Sequence, residues 1–292
     1  MKILISELPK SPWWGKGIPM YDDNPVMRLD AVPNQSLLQR ERAQLISILE
    51  ENEIGVVELP FPSLFDQEPI KHDFVYIRDP FISNQQGKAI ILRMKEVNRR
   101  SDSRIAEELL INLGMDITHI PDTPGLYAEG GEFYYCPKEN ILFSGQSRNS
   151  VSGMEAVADA LNVSGLVTIQ SHSFHLDTYF TPVLNPKGFV CALIICMDVI
   201  SVKSARDLNN FAKKKNIPII DIPIEDAIGT AAHPGSFAAN ALPLPGLLIS
   251  PNQFTNKAIN EQLEKMDVQR IITPTTQFEL SGGSIHCITN EI

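Results

Sequence analysis

Residues 130–171 read GGEFYYCPKENILFSGQSRNSVSGMEAVADALNVSGLVTIQS. Three patterns follow one another in this stretch. Two β-rich runs flank the turn sequence PKEN, which is the pattern of a hairpin. SGMEAVADAL at 152–161 then carries apolar residues at helical spacing, with Ser150 placed to cap the first turn. LVTIQS at 166–171 is a short β-rich run. The unit reads hairpin, helix, strand.

The same order recurs along the chain. Helical patterns occupy 36–51, 103–113, 152–161, 202–213 and 255–265, each with a polar starter nearby. Short β-rich runs follow at 56–60, 116–121, 166–171, 217–223 and 268–274, so they begin 60, 50, 51 and 51 residues apart. Hairpin-like material stands before each of the last four helices, around the turns SNQQGK, PKEN, NPKG and LPG. The units share almost no sequence identity. A period of this size predicts an array or propeller-like α/β fold of five units. An α/β sandwich with alternating elements is the plainer alternative. The fifth hairpin would be completed across the closure, from SGGSIHCIT at 281–289 and MKILIS at 1–6.

Linkers, charge blocks and low-complexity tracts are absent, which predicts a single domain over residues 1–292. Residues 9–35 are the least regular part, with a WW pair and an acidic YDDN. A loop of this length suits a lid or substrate arm, or a structural wrap. The 25 basic and 35 acidic side chains give a net charge of −10. Clustered Lys and Arg are missing, which argues against nucleic-acid partners and mildly favours small cationic ones. The first apolar run is short and is broken by Pro9 and Pro12, unlike a signal peptide. No apolar run approaches the roughly 20 residues of a membrane span. The four cysteines form no CxxC pair. A disulfide framework is therefore not expected, and a reducing cytoplasmic setting is. A homo-oligomer is compatible with all of this.

Several stretches put reactive side chains at strand ends or turns. In HDFVYIRDPF (72–81) an extended backbone would set Asp73, Val75 and Ile77 on one face, with Arg78 and Asp79 at the strand end before Pro80. An Arg-Asp-Pro triplet serves an ion pair or a turn as well as a site. In YAEGGEFYY (127–135) Glu129 precedes two glycines that permit close backbone approach, and Glu132 begins the next strand. Two carboxylates there could move protons, grip a cation, or face solvent. In SFHLDTYFTPV (173–183) His175 and Asp177 lie two apart among apolar residues. Such a pair is a satisfied core histidine or a base beside an anionic group. Cys287 sits in GGSIHC, beside His286 and behind two glycines. Cys191 and Cys196 read as apolar core, and Cys136 as an inert strand end. Cys, His and carboxylate suit covalent catalysis by a thiolate, or zinc. Adjacent strand residues point to opposite faces, which speaks against zinc on His286 and Cys287. No metal or cofactor is expected.

RDPF, EGGE, SRNS, HLDTYFT and GGSIHC, in this order, resemble the guanidine-modifying enzymes: arginine deiminase, dimethylarginine dimethylaminohydrolase, agmatine deiminase and the amidinotransferases. The resemblance covers roughly residues 70–292. It implies the pentein fold, a five-bladed α/β propeller of pseudosymmetric ββαβ units. It implies Cys287 as nucleophile, His175 as general acid/base, and Glu129 as the residue that orients the histidine and holds the guanidinium. Asp79 and Asp177 would grip guanidinium nitrogens, with Asp73 a further polar position. Arg148 of SRNS resembles the arginine that holds an α-carboxylate. Glu132 stands where many relatives carry Asp and is a candidate substrate contact. HLDTYFT is most similar to arginine deiminase, GGSIHCIT to agmatine deiminase, and the size to the dimethylarginine hydrolases. Arg148 favours arginine or a methylarginine over agmatine. Arg93, Arg99 and Arg100 are further carboxylate binders or surface charges. The implied activity is a Cys-dependent hydrolysis of a guanidino compound, giving a ureido product and ammonia or an alkylamine. An amidinotransferase and a non-catalytic pentein binding protein are the alternatives. Strand alternation would turn Cys287 inward towards His175 and His286 away.

Overall fold

The computed structural model describes residues 1–12, 24, 31–67, 71–230 and 232–292. Its chain order repeats one motif. β1 (Lys2–Ser6), α1 (Gln35–Glu51) and β2 (Gly55–Leu59) come first. β3 (Phe81–Ser83), β4 (Lys88–Ile91), α2 (Arg100–Asn112) and β5 (Asp116–His119) make the next unit. β6 (Phe133–Cys136), β7 (Ile141–Gly145), α3 (Val151–Leu161) and β8 (Gly165–Ile169) follow. Then come β9 (Phe180–Leu184), β10 (Val190–Ile195), α4 (Val202–Lys215) and β11 (Ile219–Asp221). The last full unit is β12 (Leu242–Leu244), β13 (Leu247–Ser250), α5 (Ala258–Glu264) and β14 (Gln269–Ile272), before the short α6 (Thr276–Glu279) and β15 (Thr289–Glu291).

These strands form five sheets of three among the described residues. In each sheet the middle strand runs antiparallel to its hairpin partner and parallel to the strand after the helix. The chain folds as the five-bladed pentein propeller. Its closing sheet is β15-β1-β2, in which Ile3 faces Glu291 on one side and Val56 on the other.

Local chemistry explains the helix limits. Asn34, Ser150 and Ser201 each accept a first-turn N–H through the side chain. Asn162 and Asn216 end α3 and α4 in the left-handed region, which asparagine tolerates. The helix expected from Thr255 begins at Ala258, because the Thr255 N–H and hydroxyl both donate to the Asp226 carboxylate.

Two local expectations fail. Residues 72–77 are not extended: His72–Val75 form a short 3-10 turn, closed by the Tyr76 N–H on the Asp73 carbonyl. Asp73, Val75 and Ile77 therefore do not share a strand face. The closing strand is also shorter than SGGSIHCIT. Ile285–Ile288 form a turn, and pairing starts at Thr289. Of the 9–35 arm, residues 13–23 and 25–30 lie outside the described residues. Lys10 and Ser11 donate backbone N–H bonds to Asp66.

The core lies between the sheets and their helices. Leu4, Phe81, Ala89 and Ile91 pack with Ala106 and Leu110 of α2 in one cluster. Leu4 sits in the middle strand of the closing sheet and is fully buried. Leu4→Ala should destabilise the protein by about 2–5 kcal/mol, read as a lower denaturant midpoint with an unchanged slope.

Candidate active site

Cys287 lies in the turn just before β15, and the loop behind it packs tightly. A Cβ on Gly283 would stand 2.3 Å from the Tyr76 ring. The Arg78 N–H donates to the Cys287 carbonyl (3.1 Å) and the Arg78 Nε to the His286 carbonyl (3.2 Å). In this turn the neighbouring side chains do not diverge. Cys287 Sγ lies 3.3 Å from Asp177 Oδ2, and His286 Nδ1 lies 2.8 Å from the same oxygen. His286 is fully buried and its ring stacks on Tyr134 at a centroid distance of 4.2 Å. The alternation that would have sent His286 away does not apply, because these residues are not in a strand.

Charge around the sulfur is one-sided. Burial, then the Asp177 and Asp79 carboxylates, push the Cys287 thiol well above its ordinary range. Burial also pushes Asp177 up to about 7; His175 opposes this and Asp79 adds to it. Burial, then the nearby Arg78, push the His286 pKa well below its ordinary range, and its Nδ1 is hydrogen-bonded to Asp177. Asp177 Oδ1 is buried and has no hydrogen-bond partner among the described residues.

His175 enters from the turn before β9. Its Nε2 lies 2.7 Å from Glu129 Oε2. Burial alone would lower its pKa, but Asp79 and Glu129 outweigh burial and raise it to about 9. Glu129 is fully buried and would be raised by that burial; Arg148, then His175, hold it well below the usual carboxylate range. Its other oxygen accepts the Lys95 N–H at 2.9 Å. A Cβ on Gly131 would lie 2.6 Å from His175 Nδ1, so the second glycine of EGGE gives the imidazole its room.

Asp79 bridges both halves. Its Oδ1 accepts the Gly131 N–H (3.2 Å) and lies 3.7 Å from His175 Nδ1, and its Oδ2 pairs with Arg99 (2.7 Å). Arg99 also holds Asp102 at 2.9 Å. Asp73, Asp79, Arg99, Arg148, His175 and Cys287 line one cavity of about 350 Å³. A larger cavity of about 910 Å³, walled by Ile82, Phe133, Tyr134 and Leu184, contains none of these six. Among the described residues no group of three or more His, Cys, Asp and Glu is placed to hold a metal ion. No described helix is long and apolar enough to cross a membrane.

The family model described as N,N dimethylarginine dimethylhydrolase, eukaryotic, matches residues 26–292. The chain belongs to the dimethylarginine dimethylhydrolase family. No curated protein matches it. Solved structures share its fold at low identity. AgrE in complex with ornithine and NAD+ is 19% identical with a TM-score of 0.79, over 99% of this chain and 39% of AgrE. The chain thus spans about two fifths of AgrE. The N-terminal domain of ArgZ, covalently bound to a reaction intermediate, is 18% identical with a TM-score of 0.77, over 99% of this chain and 96% of that one. ArgZ is described as an arginine dihydrolase from cyanobacteria. A dimethylarginine dimethylaminohydrolase adduct with 4-chloro-2-hydroxymethylpyridine is 18% identical with a TM-score of 0.70, over 100% of this chain and 99% of that one.

In this dimethylarginine dimethylhydrolase family member, Cys287, His175, Glu129, Asp79, Asp177, Asp73 and Arg148 converge around one cavity or touch residues that line it. Glu132 does not reach it. Its carboxylate is taken up by the N–H groups of Ser147, Arg148 and Leu176, at 3.0, 2.7 and 3.0 Å. Arg99 is buried between two carboxylates and is no surface charge. Arg93 pairs with Asp122, and Arg100 lies over the Tyr127 ring. Sequence reasoning missed Asn240, whose amide contacts the Cys287 sulfur at 3.2 Å. Its one signal was a lone polar residue inside the apolar run AANALPL.

Two consequences can be measured. Glu129→Gln should lower the His175 titration below the value near 9, read by NMR of the imidazole resonances. Because the shift is upward, the charged His175 stabilises the fold fully below its unfolded pKa of about 6.5. That contribution is lost as pH rises through about 9. Unfolding free energy should fall across this window more in the unmutated protein than in Glu129→Gln.

Proposed function

We propose that the chain is a Cys-dependent hydrolase of a guanidino compound with an α-amino acid end, arginine or a methylated arginine, acting as one catalytic unit over residues 1–292. The observation that carries this reading is a single cavity lined by Cys287, His175, Asp73, Asp79 and Arg148, with Glu129 bonded to His175 behind it. A guanidinium is a planar cation with a fork of N–H donors, and carboxylates match that fork two at a time. Asp79 and the unpartnered Oδ1 of Asp177 are acceptors for it. Arg148, whose guanidinium lies 4.6 Å over the Phe174 ring, is the cation for an α-carboxylate, with Arg99 on the same cavity.

Binding of the cation offsets the carboxylates that keep Cys287 protonated. As the cation binds, the thiol proton is released to solvent, which gives the thiolate, the reactive form. The sulfur attacks the guanidinium carbon, held in line by the carboxylates. Protonated His175 gives its proton to the departing amine as the C–N bond breaks, leaving an S-linked thiouronium. Neutral His175 then takes a proton from the incoming water. Collapse of that second adduct breaks the C–S bond, regenerates the thiolate and releases a ureido product. Ammonia leaves from arginine, and an alkylamine from a methylarginine. Glu129 keeps the imidazole oriented throughout. This cycle needs no cofactor, and its free thiol fits a reducing cytoplasm.

Cys287→Ala should lower turnover by at least about 10³-fold while leaving the melting temperature near that of the unmutated protein; full turnover in this variant would sink the covalent mechanism. A panel of arginine, methylarginines, agmatine and guanidino acids should yield ureido product and released amine best from the α-amino acids. Product that forms only when an acceptor amine is added would instead mark an amidinotransferase. Arg148→Ala should raise KM for arginine-type substrates by about 10–100-fold and leave agmatine less affected.

A further inference from the structure

Asn240 stands in the segment before β12 and is fully buried. Its Nδ2 donates to the Asp177 carbonyl at 3.0 Å and to Cys287 Sγ at 3.2 Å. Its Oδ1 accepts the N–H groups of His286 (3.0 Å) and Cys287 (3.4 Å). A primary amide has two donor hydrogens and two acceptor lone pairs. All four are engaged here. The orientation of the amide follows from its partners: turned over, it would set its oxygen against a carbonyl and a sulfur, and its NH2 against two N–H groups.

The backbone of Ser284 also bonds the sulfur, and the two side-chain bonds on it are complementary. The thiol donates towards Asp177 Oδ2 and receives the Asn240 Nδ2–H. When the thiol proton leaves, the first contact sets an anion beside a carboxylate. The second becomes a charge-assisted bond in a buried, low-dielectric setting, where such bonds gain most. We infer that Asn240 is a catalytic residue of this site: its Nδ2–H stabilises the Cys287 thiolate before attack and again as sulfur departs, while its Oδ1 holds the turn that carries the sulfur. This rests on Cys287 being the nucleophile. Asn240 transfers no proton. It acts where negative charge develops, as an oxyanion-hole donor does.

The test reads the sulfur directly and needs no guanidino substrate. Cys287 alkylation by iodoacetamide is followed against pH, with the site assigned by peptide mass mapping, in the unmutated protein, Asn240→Asp and Asn240→Ala. Asn240→Asp keeps the acceptor for the two N–H groups and removes the donor to sulfur. The alkylation midpoint should move up by at least one pH unit in both variants, and further in Asn240→Asp, a tenfold or greater loss of rate at any pH below the midpoint. On the best substrate of the panel, kcat should fall more than KM rises. A purely structural role would slow alkylation evenly with no shift in midpoint, and an unchanged midpoint in a folded variant overturns the inference. Should neither variant fold, NMR of the unmutated protein decides: the Asn240 side-chain amide protons should move when Cys287 titrates, and a stationary resonance overturns the inference. Absence of turnover on every guanidino compound, with the midpoint shift intact, would instead count against the proposed activity alone.

Discussion

The pairing of β1 with both β2 and β15 is the contact on which the rest of the molecule depends. It joins the two ends of the chain in one sheet, with Ile5 opposite Thr289. Without it the fifth blade has no hairpin partner, and the C-terminal segment is a free end of the kind that frays. With it, Cys287 is held two residues before a paired strand, and Arg78 can bond the carbonyls of both His286 and Cys287. Cys287 is buried there, between Asp177 and Asn240.

Burial then does most of the electrostatic work. Glu129, Asp177, His175 and Cys287 are all buried, so each charge is stable only through its neighbours. The partners divide the site into two halves. Glu129 sits against Arg148 and His175, so its carboxylate is charged and its histidine protonated. Cys287 sits against Asp177 and Asp79, so its thiol stays neutral. Adding a cation to the second half reverses that balance. Under the proposed activity a cationic ligand would favour the thiolate, and Asn240 donates a neutral side-chain N–H to the sulfur.

How legible the site was depended on spacing. His175 and Glu129 stand in motifs whose neighbours announce them: glycines that make room, and an aspartate two residues on. Arg99 could not be told from Arg93 and Arg100, since nothing local says which of three nearby arginines turns inward. Burial of Arg99 follows from Asp102 one helical turn later and Asp79 across the cavity. Glu132 looked equivalent to Glu129 three residues earlier. It is consumed by backbone N–H groups brought in from β7's far end and from the His175 turn.

The five-unit order of hairpin, helix and strand was readable from periodicity alone, because apolar spacing, caps and turn residues are local properties. Helix α3 was expected at 152–161 and spans Val151–Leu161. The backbone around the reactive groups was not readable. Asp73 and His286 were both assigned faces by strand alternation, and both lie in turns. Long-range hydrogen bonds hold them there: Arg99 on the Asp73 carbonyl, and Asn240 on the His286 and Cys287 N–H groups. A residue's own neighbours set its propensity. Whether it turns into the site is decided by partners far along the chain, 26 positions for Arg99 and Asp73 and 46 for Asn240 and His286, and these meet only when the sheets assemble.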